Sequence, residues 1–136
     1  MACGIASALR ELKPATRIFA AEVTTAAPLL AAWKTGAPQV ISTERSFVDG
    51  IGGKSVFPQM FERSKKLLDG VLVARVSEVR DAVRLMAERN RIIAEGAGAT
   101  PVACAVEGRA GAGKVVCVVS GGNIDLSKLV EIFGTK

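Results

Sequence analysis

Short β-type runs alternate with helical patterns along this chain, and this alternation restricts the fold more than any other feature of the sequence. The β-type runs are TRIFAAEV (16–23), VLVARV (71–76) and VVCVV (115–119). Strands that alternate with helices predict parallel strands joined by helical crossovers. VVCVV is apolar at every position, which is typical of a strand covered by helices on both faces. We therefore expect residues 1–136 to form a single α/β domain, with a three-layer parallel or mostly parallel sheet and helices on both faces.

The predicted helices have recognisable ends. Each begins at a capping residue or stops at a proline or glycine that cannot continue it. Between them, 37–55 is expected to be a loop, and 95–108 is rich in small residues that let a backbone or a ligand approach closely. One predicted helix is capped by Ser77, and in it Val79, Val83, Met86 and Ile93 fall near one face. The other predicted helices cover 2–12, 26–36, 56–70 and 126–133, the last capped by Asp125.

Composition excludes several classes of function. The chain has no histidine, so it has no Ser-His or Cys-His dyad and no imidazole metal site. Its net charge is +5, but the basic residues are mixed with acidic ones, so we expect no nucleic-acid partner. No apolar run approaches the roughly 20 residues of a membrane helix. Three widely separated cysteines, Cys3, Cys104 and Cys117, indicate free thiols in a reducing compartment, and the cytoplasm is expected.

The segment GRAGAGK (108–114) matches the spacing of a phosphate-binding P-loop. Such a loop needs a strand before it and a helix after it, so that helix amides meet the phosphates. Here Lys114 leads directly into the β-type run, and Val115 replaces the Ser or Thr that would hold magnesium. We interpret the segment as a flexible turn.

A polar group follows the third β-type run. Ser120, Gly121, Gly122 and Asn123 stand at the predicted carboxyl end of this strand. Ligands collect at the carboxyl ends of parallel strands, and glycines let the backbone approach them. The alternative is a simple strand-to-helix turn. These four residues alone do not decide between a ligand-binding site and a simple turn.

The order of motifs resembles a known family. EGAGA (95–99) followed by VVCVVSGGNIDL (115–126) is similar to the C-terminal part of the pyridoxal-phosphate-dependent threonine and serine dehydratases, which share a fold group with the β subunit of tryptophan synthase. FVDGIGG (47–53) resembles the family's glycine loop, and GIASALRELKPATRIFAAE (4–22) resembles the helix and strand after its phosphate loop. The resemblance covers the whole chain, and it implies the C-terminal half of the large domain of these fold-type II enzymes.

The resemblance implies roles for four residues. Ser120 would place its hydroxyl against the pyridine nitrogen of the cofactor, with Gly121 beside it, Glu95 near the ring and Gly50 approaching through its backbone. A hydroxyl donates a hydrogen bond but cannot hold a charged pyridinium, so the ring is a moderate electron sink, suited to β-elimination. The implied reaction converts L-threonine or L-serine to a 2-oxo acid and ammonia. A racemase or another β-replacing enzyme remains open, as does the alternative that Glu95 is a helix-end carboxylate in solvent.

Two parts of such an enzyme have no counterpart in the sequence. The family's Schiff-base lysine lies in a Ser-Lys-Arg context, which no lysine of this chain has. The family's phosphate loop would precede Met1. We therefore expect no catalytic residue here, no activity of the chain alone, and either self-association as a homodimer or pairing with a missing N-terminal half. The alternative is a non-catalytic folded fragment that self-associates. The lysines that lack the required neighbours are Lys13, Lys34, Lys54, Lys65, Lys66, Lys114, Lys128 and Lys136.

The resemblance also bears on metal binding. Glu22 and the carbonyl of Ala26 match the first two ligands of a metal site known in some relatives. Pro28 stands where that site has an aspartate, so a hard cation would lose a charged oxygen ligand. We expect no metal.

Overall fold

The computed structural model describes residues 1–134 and has an α/β architecture. Most helices and strands follow from local patterns already noted, and the main differences are given below. The elements are α1 (Ala2–Leu12), β1 (Phe19–Val23), α2 (Pro28–Thr35), α3 (Pro58–Leu67), β2 (Gly70–Ala74), α4 (Val76–Leu85), which continues as a π-helical turn (Met86–Asn90), α5 (Gly96–Val106) and α6 (Leu126–Gly134).

The two strands are parallel neighbours. Phe19 lies opposite Gly70, and the register runs through to Val23 opposite Ala74. Helices α2 and α3 lie in the connection between them, as a parallel crossover requires. The predicted α/β class with parallel strands is therefore confirmed.

The sheet separates two apolar clusters, because successive side chains of a strand point to opposite faces. On β1, Ala20 packs into one cluster, whereas Ala21 and Val23 contact the other. The smaller cluster joins the sheet to α1, α2 and the end of α3, and the larger one joins it to α4, α5 and α6. Helices thus cover both faces, as predicted. Buried members of the larger cluster include Ala74, Val79, Val83, Ala99, Ala103, Cys104 and Ile132.

The predicted third strand at 115–119 is wrong for this chain. The segment is extended, but among residues 1–134 it joins no strand. Val116 is 89% exposed, and Val115, Val118 and Val119 are each more than a third exposed. Apolar composition favours burial, but a strand also needs a neighbouring backbone for its hydrogen-bond ladder. Within the described residues, β1 and β2 pair with each other and leave 115–119 without such a neighbour.

Helix α5 was not predicted. Its segment contains Gly96, Gly98 and Pro101, which have poor helix propensity. Tertiary contacts outweigh this cost, since Ala99 and Cys104 are buried in the core between α4 and the sheet. The small residues that weaken the local helix signal allow this close packing.

Helix α4 begins earlier than predicted. Its N-cap is Arg75, and Ser77 lies inside the helix. The Glu78 side chain explains the shift, because Oε2 accepts a hydrogen bond from the Arg75 backbone N–H at 2.8 Å. At the other end, Arg91 adopts a left-handed conformation (φ 61°) after the π-helical turn, so Ile93 leaves the apolar face and is exposed.

The structure also bears on membrane insertion. None of the helices within residues 1–134 combines the length and apolar character that crossing a bilayer requires.

Candidate functional site

Two motifs that lie apart in the sequence meet at the start of α5. Glu95 is the N-cap of this helix, and its backbone N–H donates to the carbonyl oxygen of Gly121 at 3.1 Å. Gly98, one turn further along, faces the same backbone: a Cβ at position 98 would lie 2.7 Å from Gly121 O. The EGAGA motif therefore packs directly against SGGN, and this packing requires a glycine at position 98.

The Glu95 side chain lies between two glycines predicted to belong to the site. A Cβ added at Gly121 would collide with Glu95 Oε1, and one added at Gly50 would lie 3.8 Å from the same oxygen. The Gly50 position also contacts α5, since its Cβ would be 3.0 Å from Ala97 Cβ. Gly50, Glu95 and Gly121 thus form one cluster, with a half-buried carboxylate surrounded by bare backbone.

Ser120 adjoins this cluster at its exposed edge. Its backbone nitrogen is 3.5 Å from the position that a Cβ of Gly98 would take, and the residue is exposed. The structure therefore brings all four predicted residues to one place, at the end of the extended segment 115–119.

The loop that carries Gly50 is attached to α6. Lys128 Nζ donates to Asp49 Oδ2 at 2.8 Å, and the same ammonium lies 3.7 Å from Asp125 Oδ2. The hydrogen bond from Lys128 lowers the pKa of Asp49, and Asp49 raises that of Lys128. The spacing of Asp125 and Lys128 was visible in the sequence, but their link to Asp49 depends on the fold.

The GRAGAGK segment is a turn, as predicted. It follows α5 and leads into the extended segment, and Gly108, Gly111 and Gly113 all have positive φ. Arg109 fastens the turn to α4, since its Nη1 and Nη2 donate to the two carboxylate oxygens of Glu78, each at 2.8 Å. This bidentate pair, aided by Arg75 and opposed by burial, lowers the pKa of Glu78 to about 2.

The donor set at the metal position of some relatives does not fit a hard cation. Glu22 Oε1 and Oε2 accept hydrogen bonds from the backbone N–H groups of Leu29 and Leu30, each at 2.9 Å. Burial raises the pKa of Glu22, and these two hydrogen bonds act in the opposite direction. Pro28, the first residue of α2, adds no charged oxygen.

Comparison with known families identifies the family to which the residues of this cluster belong. The family model described as "Pyridoxal-phosphate dependent enzyme" matches residues 1–121, which is most of the chain. The chain therefore belongs to the family of pyridoxal-phosphate-dependent enzymes, and pyridoxal phosphate is the cofactor of that family.

Individual relatives narrow the resemblance to one group within the family. The chain is 34% identical over 128 residues to the L-threonine ammonia-lyase of Geobacter sulfurreducens, covering 93% of this chain and 32% of the relative. It superposes on the processed threonine deaminase isoform 2 of Solanum lycopersicum with a TM-score of 0.86 at 25% identity, covering 97% of this chain and 40% of that one. Maize serine racemase has the same fold, with a TM-score of 0.84 at 24% identity and coverages of 97% and 43%.

These comparisons confirm the resemblance seen in the sequence. The chain corresponds to a segment of the threonine ammonia-lyases and dehydratases, and it spans 32% to 41% of the length of the first curated relatives. The fold is that of the fold-type II pyridoxal-phosphate enzymes.

Proposed function

We propose that this chain supplies the ring-binding side of a pyridoxal phosphate site in a threonine or serine dehydratase. The observation that carries the proposal is the position of the Glu95 carboxylate between Gly50 and Gly121. Three segments of the chain meet there, and two of them present backbone without a Cβ. A flat aromatic ring needs this kind of surface, because a Cβ at either glycine would reduce the space beside the carboxylate.

Each of the four residues has a distinct task in this proposal. Ser120 donates a hydrogen bond to the ring nitrogen, and Gly121 and Gly50 let the backbone approach the ring. Glu95 offers a carboxylate that is fixed at its base by the hydrogen bond from its own N–H to Gly121. Pyridoxal phosphate, when bound, supplies an electron sink for the bonds at the α-carbon of an amino acid.

We assign L-threonine or L-serine as the substrate class and β-elimination to a 2-oxo acid and ammonia as the reaction. The curated relatives are threonine ammonia-lyases and dehydratases, which supports this assignment over racemisation, for which the support is likeness of fold. The free thiols Cys3, Cys104 and Cys117 agree with our placement of the reaction in the cytoplasm.

The lysine and the phosphate loop must come from elsewhere, and we propose that they lie in an N-terminal half that pairs with this one. The extended segment 115–119 is suited to such pairing, because its backbone is not paired with a strand among the described residues and its valines are exposed. A neighbouring strand could therefore pair with it. The same observation favours the second candidate, a non-catalytic chain that associates with its own copies through 115–119.

Ring binding is tested with pyridoxine phosphate, which lacks the aldehyde and forms no imine with surface lysines. Equilibrium dialysis of the chain should detect binding, and Gly121→Ala should weaken it about tenfold, the equivalent of ~1.4 kcal/mol. In this variant the Glu95 side chain must rotate away from the new Cβ, so the fold survives while the site changes.

The matched control is Gly4→Ala. Position 4 lies in α1, and a Cβ there meets nothing within 4 Å. Equal affinities of the wild type, Gly121→Ala and Gly4→Ala would refute the proposed ring site.

A further inference from the structure

The N-terminal end of α2 is stabilised from outside the helix. The first amides of an α-helix have no partner within it, and a Ser, Thr, Asp or Asn N-cap side chain commonly supplies one. The N-cap of α2 is Ala27, which has no such acceptor. Glu22, on β1, reaches this end instead.

Every one of the first four backbone positions of α2 is accounted for. Pro28 has no N–H to satisfy. Leu29 and Leu30 donate to Glu22 Oε1 and Oε2, each at 2.9 Å, and Ala31 N–H donates to the carbonyl of Ala27 at 3.1 Å. The carboxylate thus completes the cap and places a negative charge at the positive end of the helix dipole.

This arrangement leaves a cation no suitable place beside Glu22. Both carboxylate oxygens are directed at N–H donors, and a cation would face the positive end of α2. Calcium requires six to eight oxygen ligands at about 2.3–2.6 Å, and magnesium requires octahedral oxygen geometry. Pro28 has no side-chain oxygen to contribute.

We propose that the Glu22 carboxylate itself, in place of a bound cation, stabilises the junction of β1 and α2, so that folding of this chain is independent of divalent cations. The proposal goes beyond the cofactor site and does not depend on it.

Thermal unfolding of the full chain tests this directly. The midpoint should shift by less than about 1 °C when Mg²⁺, Ca²⁺ or Mn²⁺ is added to about 10 mM, well above the dissociation constants of weak protein calcium sites. EDTA should have equally little effect. Glu22→Gln should lower the midpoint by about 3–8 °C, as expected for loss of a helix cap in a domain of this size.

The matched control is Glu44→Gln, which neutralises an exposed carboxylate and should leave the midpoint within about 1 °C. A saturable rise in the wild-type midpoint with a divalent cation, lost in Glu22→Gln, would overturn the proposal. Equal midpoints for Glu22→Gln and Glu44→Gln would also overturn it. If Glu22→Gln fails to fold, the wild-type cation titration decides the question by itself.

Discussion

Glu95 donates its backbone N–H to the carbonyl oxygen of Gly121 at 3.1 Å, and this hydrogen bond joins the start of α5 to the end of the extended segment 115–119. The contact fixes where two motifs of the candidate site lie relative to each other. It also explains the glycine at position 98, since a Cβ there would force the two backbones apart.

Stability should depend on this close approach. Gly98→Ala would place a Cβ 2.7 Å from Gly121 O, a backbone atom that cannot simply rotate away. We expect a loss of about 1–3 kcal/mol in the free energy of unfolding, measured by urea denaturation. Gly4→Ala is the control, because its Cβ enters open space in α1 and should stabilise the chain by about 0.5–1 kcal/mol. Equal stabilities of the two variants would show that the contact is dispensable.

The Glu78–Arg109 pair should make stability depend on acid pH. The folded-state pKa of Glu78, about 2, lies below its ordinary value of 4.5. The stabilising contribution is therefore complete above about pH 4.5 and is lost as the pH falls towards about 2. Glu78→Gln should cost about 1–3 kcal/mol at pH 7, and its stability should converge with that of the wild type near the acid end of this range.

Asp81→Asn serves as the comparison for that measurement. Asp81 is on the same helix, but its side chain is 73% exposed, and its ion pair with Arg84 is long at 3.7 Å. The substitution should change stability by less than about 1 kcal/mol at any pH. If Asp81→Asn and Glu78→Gln gave the same pH profile, the acid transition would not arise from the Glu78 pair.

The chain alone should release 2-oxo acid no faster than free cofactor does. Lys128 is attached to the loop of the candidate site, but its ammonium is held 2.8 Å from Asp49 and its pKa is raised. A protonated lysine cannot form an imine with pyridoxal phosphate. With L-threonine or L-serine and added cofactor, the rate should equal that of free cofactor. A faster rate that disappears in Lys128→Met would show that this lysine can serve in catalysis.

Self-association should depend on the extended segment. Val116 is 89% exposed, so Val116→Lys would introduce a charge among the exposed apolar side chains of 115–119. Sedimentation should show association of the wild type weakened by this substitution. Val40→Lys adds the same charge at a side chain that is 79% exposed in the loop before α3, and it should leave association unchanged. Identical behaviour of both variants would place the contact elsewhere.

The sequence was most informative where one local signal dominated. The left-handed Gly36 (φ 81°) ends α2 as predicted, and β1 lies within its predicted run. Strand β2 was also predicted, but it begins at Gly70, one residue before the predicted run 71–76. Prediction failed where distant groups decide the structure. Helix α5 depends on packing that outweighs the low propensity of Gly96 and Gly98, and the extended segment depends on whether a neighbouring backbone is present.

In the candidate site, too, some features could be predicted from the sequence and others depend on the folded chain. The order of motifs predicted a site at Gly50, Glu95, Ser120 and Gly121, and the structure brings these four residues together. Their role in binding the cofactor stays a prediction. The ion pair of Lys128 with Asp49 could not be predicted, since it joins residues on a loop and a helix that only the folded chain brings together.

Above all, we propose that the cluster of Gly50, Glu95 and Gly121 receives the cofactor ring. The most direct test is titration of the isotope-labelled chain with pyridoxine phosphate, followed through its backbone amide resonances. We predict that the largest shifts fall on these three residues and on Ser120, with little change in the turn at 108–114. Shifts concentrated in that turn, or spread evenly over the chain, would contradict the account.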